Sequence, residues 1–306
     1  MINHQLALVK REIWEHRSIW VTPAAIAVIV TLGVLAMMMF ASGFAAELDV
    51  AIFGAQNLAG DPERKAALTA FFLSTSWIFI VALMFLTVFY CLDSLYAERK
   101  DKSILFWRSL PVTDAETVIS KLITAIIVIP TVIVLGIIAT HIVNLIVASI
   151  WVSAKGGDGA MLVWGSVSLI DNWLAAYVVV LACAIWASPF IGWFLLVSAY
   201  TKRSPLLMAF MPLILIGLLE GIIFRTHVFA ENVLARDGDS LPIFRTADIE
   251  RFIETDEWRV GEGASNLLPH LDIVQFLTSP AMWAGVLVCG LLSTGAIYVR
   301  RFRDES

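Results

Sequence analysis

The sequence is short of charge: 15% of its 306 residues are Asp, Glu, Lys or Arg, against 59% hydrophobic, and the mean hydropathy is +0.83. A soluble domain of this length could not bury so much apolar surface, and the apolar residues fall in long runs, so an all-α, polytopic membrane protein is expected. Cysteine is scarce as well. Cys91, Cys183 and Cys289 lie far apart, each inside an apolar run, which excludes a CxxC metal site or a disulfide framework and leaves three small core residues. No GxxxxGK[ST], HExxH or GxSxG occurs, so the chain lacks the signatures of a nucleotide site, a zincin or a serine hydrolase. No catalytic or metal site is expected, and any energy source must sit on another chain.

Six apolar runs organise what is there: residues 23–46, 71–92, 122–150, 173–200, 205–224 and 280–299. Each reaches the roughly 20 residues needed to cross a bilayer. The first, fifth and sixth open on Thr22-Pro23, Ser204-Pro205 and Ser279-Pro280, a cap followed by proline at the first helical position. Pro130, Pro189 and Pro212 mark expected kinks, and Trp164, Trp173, Trp186 and Trp193 read as interfacial anchors or packing. Ahead of the runs, residues 1–19 put Ile2, Leu6, Val9 and Ile13 at helical spacing, with Lys10, Arg11, Glu12 and Glu15 on other faces. That pattern predicts an amphipathic helix lying in the membrane interface. Residues 225–279 form the main segment between spans five and six. Two short helical patterns lie within it, Ile249 with Phe252 and Ile253, and Leu267 with Leu268, Leu271 and Val274.

Six spans put both termini on one side. That side, with residues 93–121 and the turn at Thr201, holds 13 Lys and Arg, whereas the opposite loops hold 8 together with 16 acids. The positive-inside rule therefore predicts cytoplasmic termini in the cell's inner (plasma) membrane and an outer 225–279 segment.

The long charged stretch 93–121 reads as a folded elbow. Its helix leaves the membrane as far as Arg99, and a short apolar piece follows, Ile104, Leu105, Phe106 and Trp107. Leu110-Pro111 breaks that piece, and Thr113 with Glu116 three residues on opens the next helix through a capping box. Rimmed by Arg99, Lys100, Lys102 and Arg108, the apolar knob costs free energy in water unless a partner covers it, and the basic rim suits acidic groups on that partner.

Polar residues at membrane depth are few. His141 and Asn144 share one face of span three beside Thr140, which fits an interhelical hydrogen bond or a contact in a transport pathway. Glu220 lies inside a GxxxG formed by Gly217 and Gly221, within reach of a neighbouring helix or the outer interface. An intramembrane enzyme would have His141 and Glu220 as its only catalytic pair, on different spans and without a motif. A membrane scaffold that uses the elbow for docking, without transport, is the other alternative.

The stretch from Ala97 to Glu116, followed by Ser120-Lys121-Leu122, resembles the cytoplasmic loop of ABC-2 type permeases, the membrane subunits of ATP-binding-cassette exporters. Lys102-Ser103 stands where that loop typically has Gly-Thr, and Ser120-Lys121 where it has Gly-Lys. The end of the chain, from Leu277 to Gly285 and at Arg300 to Glu305, also looks like the family. The resemblance implies a permease that pairs with a second copy or a related permease, contacts membrane lipids and binds a cytoplasmic ATPase. ATP and Mg would then sit on that partner, with no cofactor in this chain and no nucleic acid. It implies coupling to the ATPase through Glu98, Arg99, Ile104, Leu105, Phe106, Trp107, Arg108 and Pro111.

Overall fold

Helix after helix makes up the computed structural model, which describes residues 2–41, 43, 62–104, 111–226, 229, 241–243 and 267–302. The longer helices are α1 (Ile2–Glu15), α2 (Ser18–Phe40), α3 (Pro62–Lys100), α4 (Asp114–Ala154), α5 (Leu169–Trp186), α6 (Ser188–Tyr200), α7 (Pro205–Phe224) and α8 (Pro280–Phe302). Six of them, α2, α3, α4, α5, α7 and α8, are long and apolar enough to cross a membrane. Large apolar side chains such as Val28, Ile29 and Leu32 on α2 point outward and are more than half exposed. In a soluble protein such a face would be unstable, whereas lipid tails are as apolar as these side chains. α7 is the extreme case, with 6% of its most apolar window buried.

Local chemistry explains the helix boundaries, and it corrects two expectations. Pro23 does not open span one: the helix already begins at Ser18 and carries Pro23 in its second turn. Tryptophan and valine at positions 20 and 21 extend the apolar pattern backward, and the helix tolerates Pro23 near its start at the cost of one intrahelical hydrogen bond. Span four is not one helix. It breaks at Ala187 (φ −78°, ψ 0°) into α5 and α6, with Pro189 taken into the first turn of α6. A proline ring would clash with the carbonyl four residues back, so the chain restarts there instead of continuing. In α4 a π-helical stretch, Thr124–Val128, precedes Pro130 and accommodates the missing amide hydrogen bond.

The main core lies between α3, α4 and α6, where Phe79, Leu86, Ile129, Ile133, Phe194 and Leu195 are buried together. α6 and α8 meet most closely at Gly192, where an added Cβ would come 3.0 Å from both the Cα and the carbonyl oxygen of Cys289. Backbone cannot yield as a flexible side chain can, so this crossing requires glycine. Cys91 and Cys289 are buried, Cys183 is partly so, and all three are free thiols.

Side chains from distant parts of the chain gather at one end of the bundle. There the end of α3, the start of α4, the turn at Thr201, the end of α8 and the amphipathic α1 come together. The opposite end joins α5 to the segment before α8. Asp171 accepts hydrogen bonds there from the amides of Leu267 (2.7 Å) and Leu268 (3.2 Å). Both termini are thus on one side of the bundle, as an even number of spans requires.

Candidate functional site

The elbow is anchored on both sides by helix chemistry that the sequence announces. On the entry side α3 runs to Lys100, and Lys102 turns the chain with a left-handed φ of +57°. On the exit side Thr113 caps α4: its hydroxyl accepts from the Glu116 amide (3.2 Å), and the Glu116 carboxylate accepts from the Thr113 amide (2.9 Å). Residues 105–110, including Leu105, Phe106, Trp107 and Arg108, lie outside the described residues.

Between these anchors sits a buried ion cluster. Glu98, one turn inward of the elbow, is 5% exposed and receives Arg11 of α1 (3.1 Å), Lys121 of α4 (3.0 Å) and Arg300 of α8. Lys121, with no exposed surface, also donates to both oxygens of Glu12 (3.0 Å each). Glu12 is equally buried and accepts the Tyr90 hydroxyl (3.0 Å). Arg300 continues to Asp114 at 2.8 Å. Glu12, Glu98 and Asp114 thus stand against Arg11, Lys121 and Arg300, three charges of each sign. The lone pairs and protons are largely spent, the condition under which buried ions are tolerated. Beside the cluster, burial first and Lys121 second hold the His16 imidazole below its ordinary range, although Glu12 at 3.9 Å acts the other way. His16 is therefore neutral near pH 7 and packs its ring edge against Tyr90 at 4.9 Å.

This geometry revises the elbow. Arg99 is not a rim residue: its guanidinium donates to the carbonyl oxygens of Ser198 and Thr201, at the end of α6, where uncapped carbonyls attract a cation. Ile104 does not belong to an exposed knob, because it is 3% exposed and shares a small crevice with Leu95, Arg99, Ala199 and Arg300. Its apolar side chain finds cover within its own chain. Pro111 is exposed, as expected of a break facing water. Ser198 adds a further tie, since its hydroxyl donates to the Leu92 carbonyl (2.8 Å) and accepts from the amides of Leu95 and Tyr96. The helix that delivers Glu98 is thereby held to α6.

Glu12, which the sequence pattern puts off the apolar face of α1, lies on the inner face with Leu8. Asp114 and Tyr90 carry no signal in the sequence reading, and Lys121 and Arg300 enter it only through the family resemblance, without a role of their own. A lysine set directly against the apolar run that starts at Leu122 was the available signal, because such a charge needs a partner.

The polar residues at membrane depth differ in their contacts. His141 is 4% exposed; its Nε2 lies 3.2 Å from the Ser76 hydroxyl and 3.4 Å from that of Thr75, and its Nδ1 accepts from the Trp173 indole at 3.2 Å. One histidine thus ties α3, α4 and α5. Asn144, one turn further on the same face, is also buried, and its amide has no hydrogen-bond partner among the described residues. Glu220 is not brought near His141 by any contact among the described residues. It accepts from the Thr226 hydroxyl (3.0 Å) and the Phe229 amide (2.8 Å), closing the end of its own helix. No group of three or more metal-ligating side chains occurs among the described residues. Trp173 also lines an open groove of about 350 Å³ with Thr131, Leu135, Ile138, Ile170 and Tyr177. Its wall carries no charged group among the described residues.

Residues 66–171 match the model of a family described as ABC-2 family transporter protein. The match takes in spans two and three and the whole elbow between them, ending at the start of α5. No curated protein and no solved structure matches the chain.

Proposed function

With residues 66–171 an ABC-2 family transporter segment in a six-span helical membrane protein, we propose that the chain is the permease subunit of an ATP-binding-cassette exporter. It works as a dimer with a second copy or a related permease and draws on ATP hydrolysis in a separate cytoplasmic ATPase. The observation that carries this reading is the elbow: both of its ends are clamped, by the capping box at Thr113 and by Glu98 and Lys121 in the ion cluster. A push delivered to the ends of this segment would reach α1, α3, α4 and α8 together through that cluster. Leu105, Phe106, Trp107 and Arg108 meet the ATPase, and Glu98, Arg99 and Ile104 act behind them as positioning residues. The nearly unburied α7, with Gly217 and Gly221, supplies the face for the second permease.

The test is to isolate the chain with its associated proteins and look for a P-loop ATPase and ATP-dependent substrate movement in vesicles. Recovery without an ATPase, and no ATP-dependent movement, would favour a scaffold. The cytoplasmic placement of the termini and elbow is checked by cysteine labelling in intact cells. A cysteine at Ser103 is expected to resist a membrane-impermeant reagent, while one at Ser240 reacts. Labelling of the Ser103 position from outside would reverse the orientation.

A further inference from the structure

α1 buries one of its two acids and pairs the other, which is exposed, with a neighbouring arginine. Glu12 is buried in the ion cluster, and Glu15 is held by Arg11 through two hydrogen bonds of 2.9 Å. Next to Glu12 around the helix, at 3.6 residues per turn, the half-buried Val9 and Ile13 lead to the exposed Leu6, Lys10 and Trp14 on the outer side. Leu6 is 62% exposed and Trp14 72% exposed, and Lys10 sits over the Trp14 ring at 5.6 Å. Arg17, exposed in the turn that joins α1 to α2, and Trp20, exposed at the start of α2, continue the same surface toward span one. The level of this face relative to the membrane follows from the cluster: Glu12 meets Lys121, the residue immediately before the apolar run of span three. α1 therefore lies where apolar chain passes into headgroups, with leucine and tryptophan outward, two basic residues beside them and no acid on that side.

We infer that this outer face of α1 is a docking surface for anionic phospholipid in the leaflet on the side of the termini. Leu6 and Trp14 enter the acyl boundary, while Lys10 and Arg17 meet headgroup phosphates. Charge complementarity favours lipid over an acidic protein surface, since the bulky apolar side chains run on into the lipid-facing side of span one. The inner face of the same helix holds Lys121 and Glu98, so anionic lipid would set how firmly α1 rests on the elbow's anchors. This inference needs only the membrane spans and holds whether or not the chain is an exporter.

The experiment uses the full chain with an environment-sensitive fluorescent amino acid at the exposed position Ala7, in mixed micelles of detergent and phosphatidylcholine titrated with phosphatidylglycerol. A saturable blue shift is expected with phosphatidylglycerol and not with added phosphatidylcholine. Its apparent dissociation constant should rise about fivefold for each of Lys10→Gln and Arg17→Gln and should rise with salt. Both side chains are exposed, so the melting temperature should stay unchanged, and either single variant suffices should the double variant fold poorly. Equal responses to the two lipids, or an affinity indifferent to both substitutions, would overturn the inference. So would a photocrosslinker at Ala7 that captures a protein instead of lipid in native membranes.

Discussion

Lys121→Met is expected to destabilise the protein by about 3–5 kcal/mol, the cost of leaving buried carboxylates without their cation. Lys121 is fully buried and bridges Glu12 and Glu98 at 3.0 Å. Methionine fills a similar volume, so the loss is electrostatic rather than a cavity. Glu98 keeps Arg11 and Arg300 in direct contact, whereas among the described residues Glu12 keeps the Tyr90 hydroxyl, a neutral His16 nearby and the more distant charge of Arg11. The damage should therefore centre on Glu12. It follows that Glu12→Gln in the Lys121→Met background should recover part of the loss, because removing both members of a buried pair costs less than removing one. The measurement is thermal unfolding of the four members of this cycle in detergent. Strictly additive losses would mean that Glu12 and Lys121 do not depend on one another.

A second large effect is expected at the elbow tip, on association and not on stability. On the proposed function, alanine at both Phe106 and Trp107 should weaken ATPase binding by on the order of 2 kcal/mol or more, as aromatic anchors in a partner's groove do. ATP-dependent transport should fall with it, while membrane levels of the permease stay normal. Removing Arg108 should weaken association mainly at low salt, as expected of a rim charge. Co-purification of the ATPase with each variant, at matched expression, is the readout. Undiminished binding and transport in the double-alanine variant would remove this segment from the coupling route. Comparison with Lys121→Met is informative, because that change should lower stability first and coupling only through it.

Of the expectations that rested on local chemistry, the start of span one at Thr22-Pro23 failed and the elbow's exit held. Thr113 and Glu116 form the capping box their spacing demands, because both hydrogen bonds involve neighbouring residues. The apolar runs became helices because no backbone amide can go unpaired in lipid. His141 shows the limit of such reasoning. Its face on α4 could be read from sequence, but Ser76 and Trp173, which it contacts, lie on two other helices.

By itself, the sequence determined the class of molecule, the six apolar spans, the capping box at Thr113 and the absence of nucleotide-site motifs. These depend on composition and on residues within a turn or two of each other. Only the tertiary structure decided which charges are buried. Glu12 and Glu15 both sit on an amphipathic helix, yet one is sealed against Lys121 and the other is partly exposed, a difference set by how α1 rests on α4. Arg99 and Ile104 were likewise turned from a presumed outer rim to inner contacts by the approach of α6 and α8. A buried ion pair draws its favourable energy from a partner that is distant in sequence, at separations of 109 for Glu12 and Lys121 and 202 for Glu98 and Arg300. No periodicity within one helix carries that information.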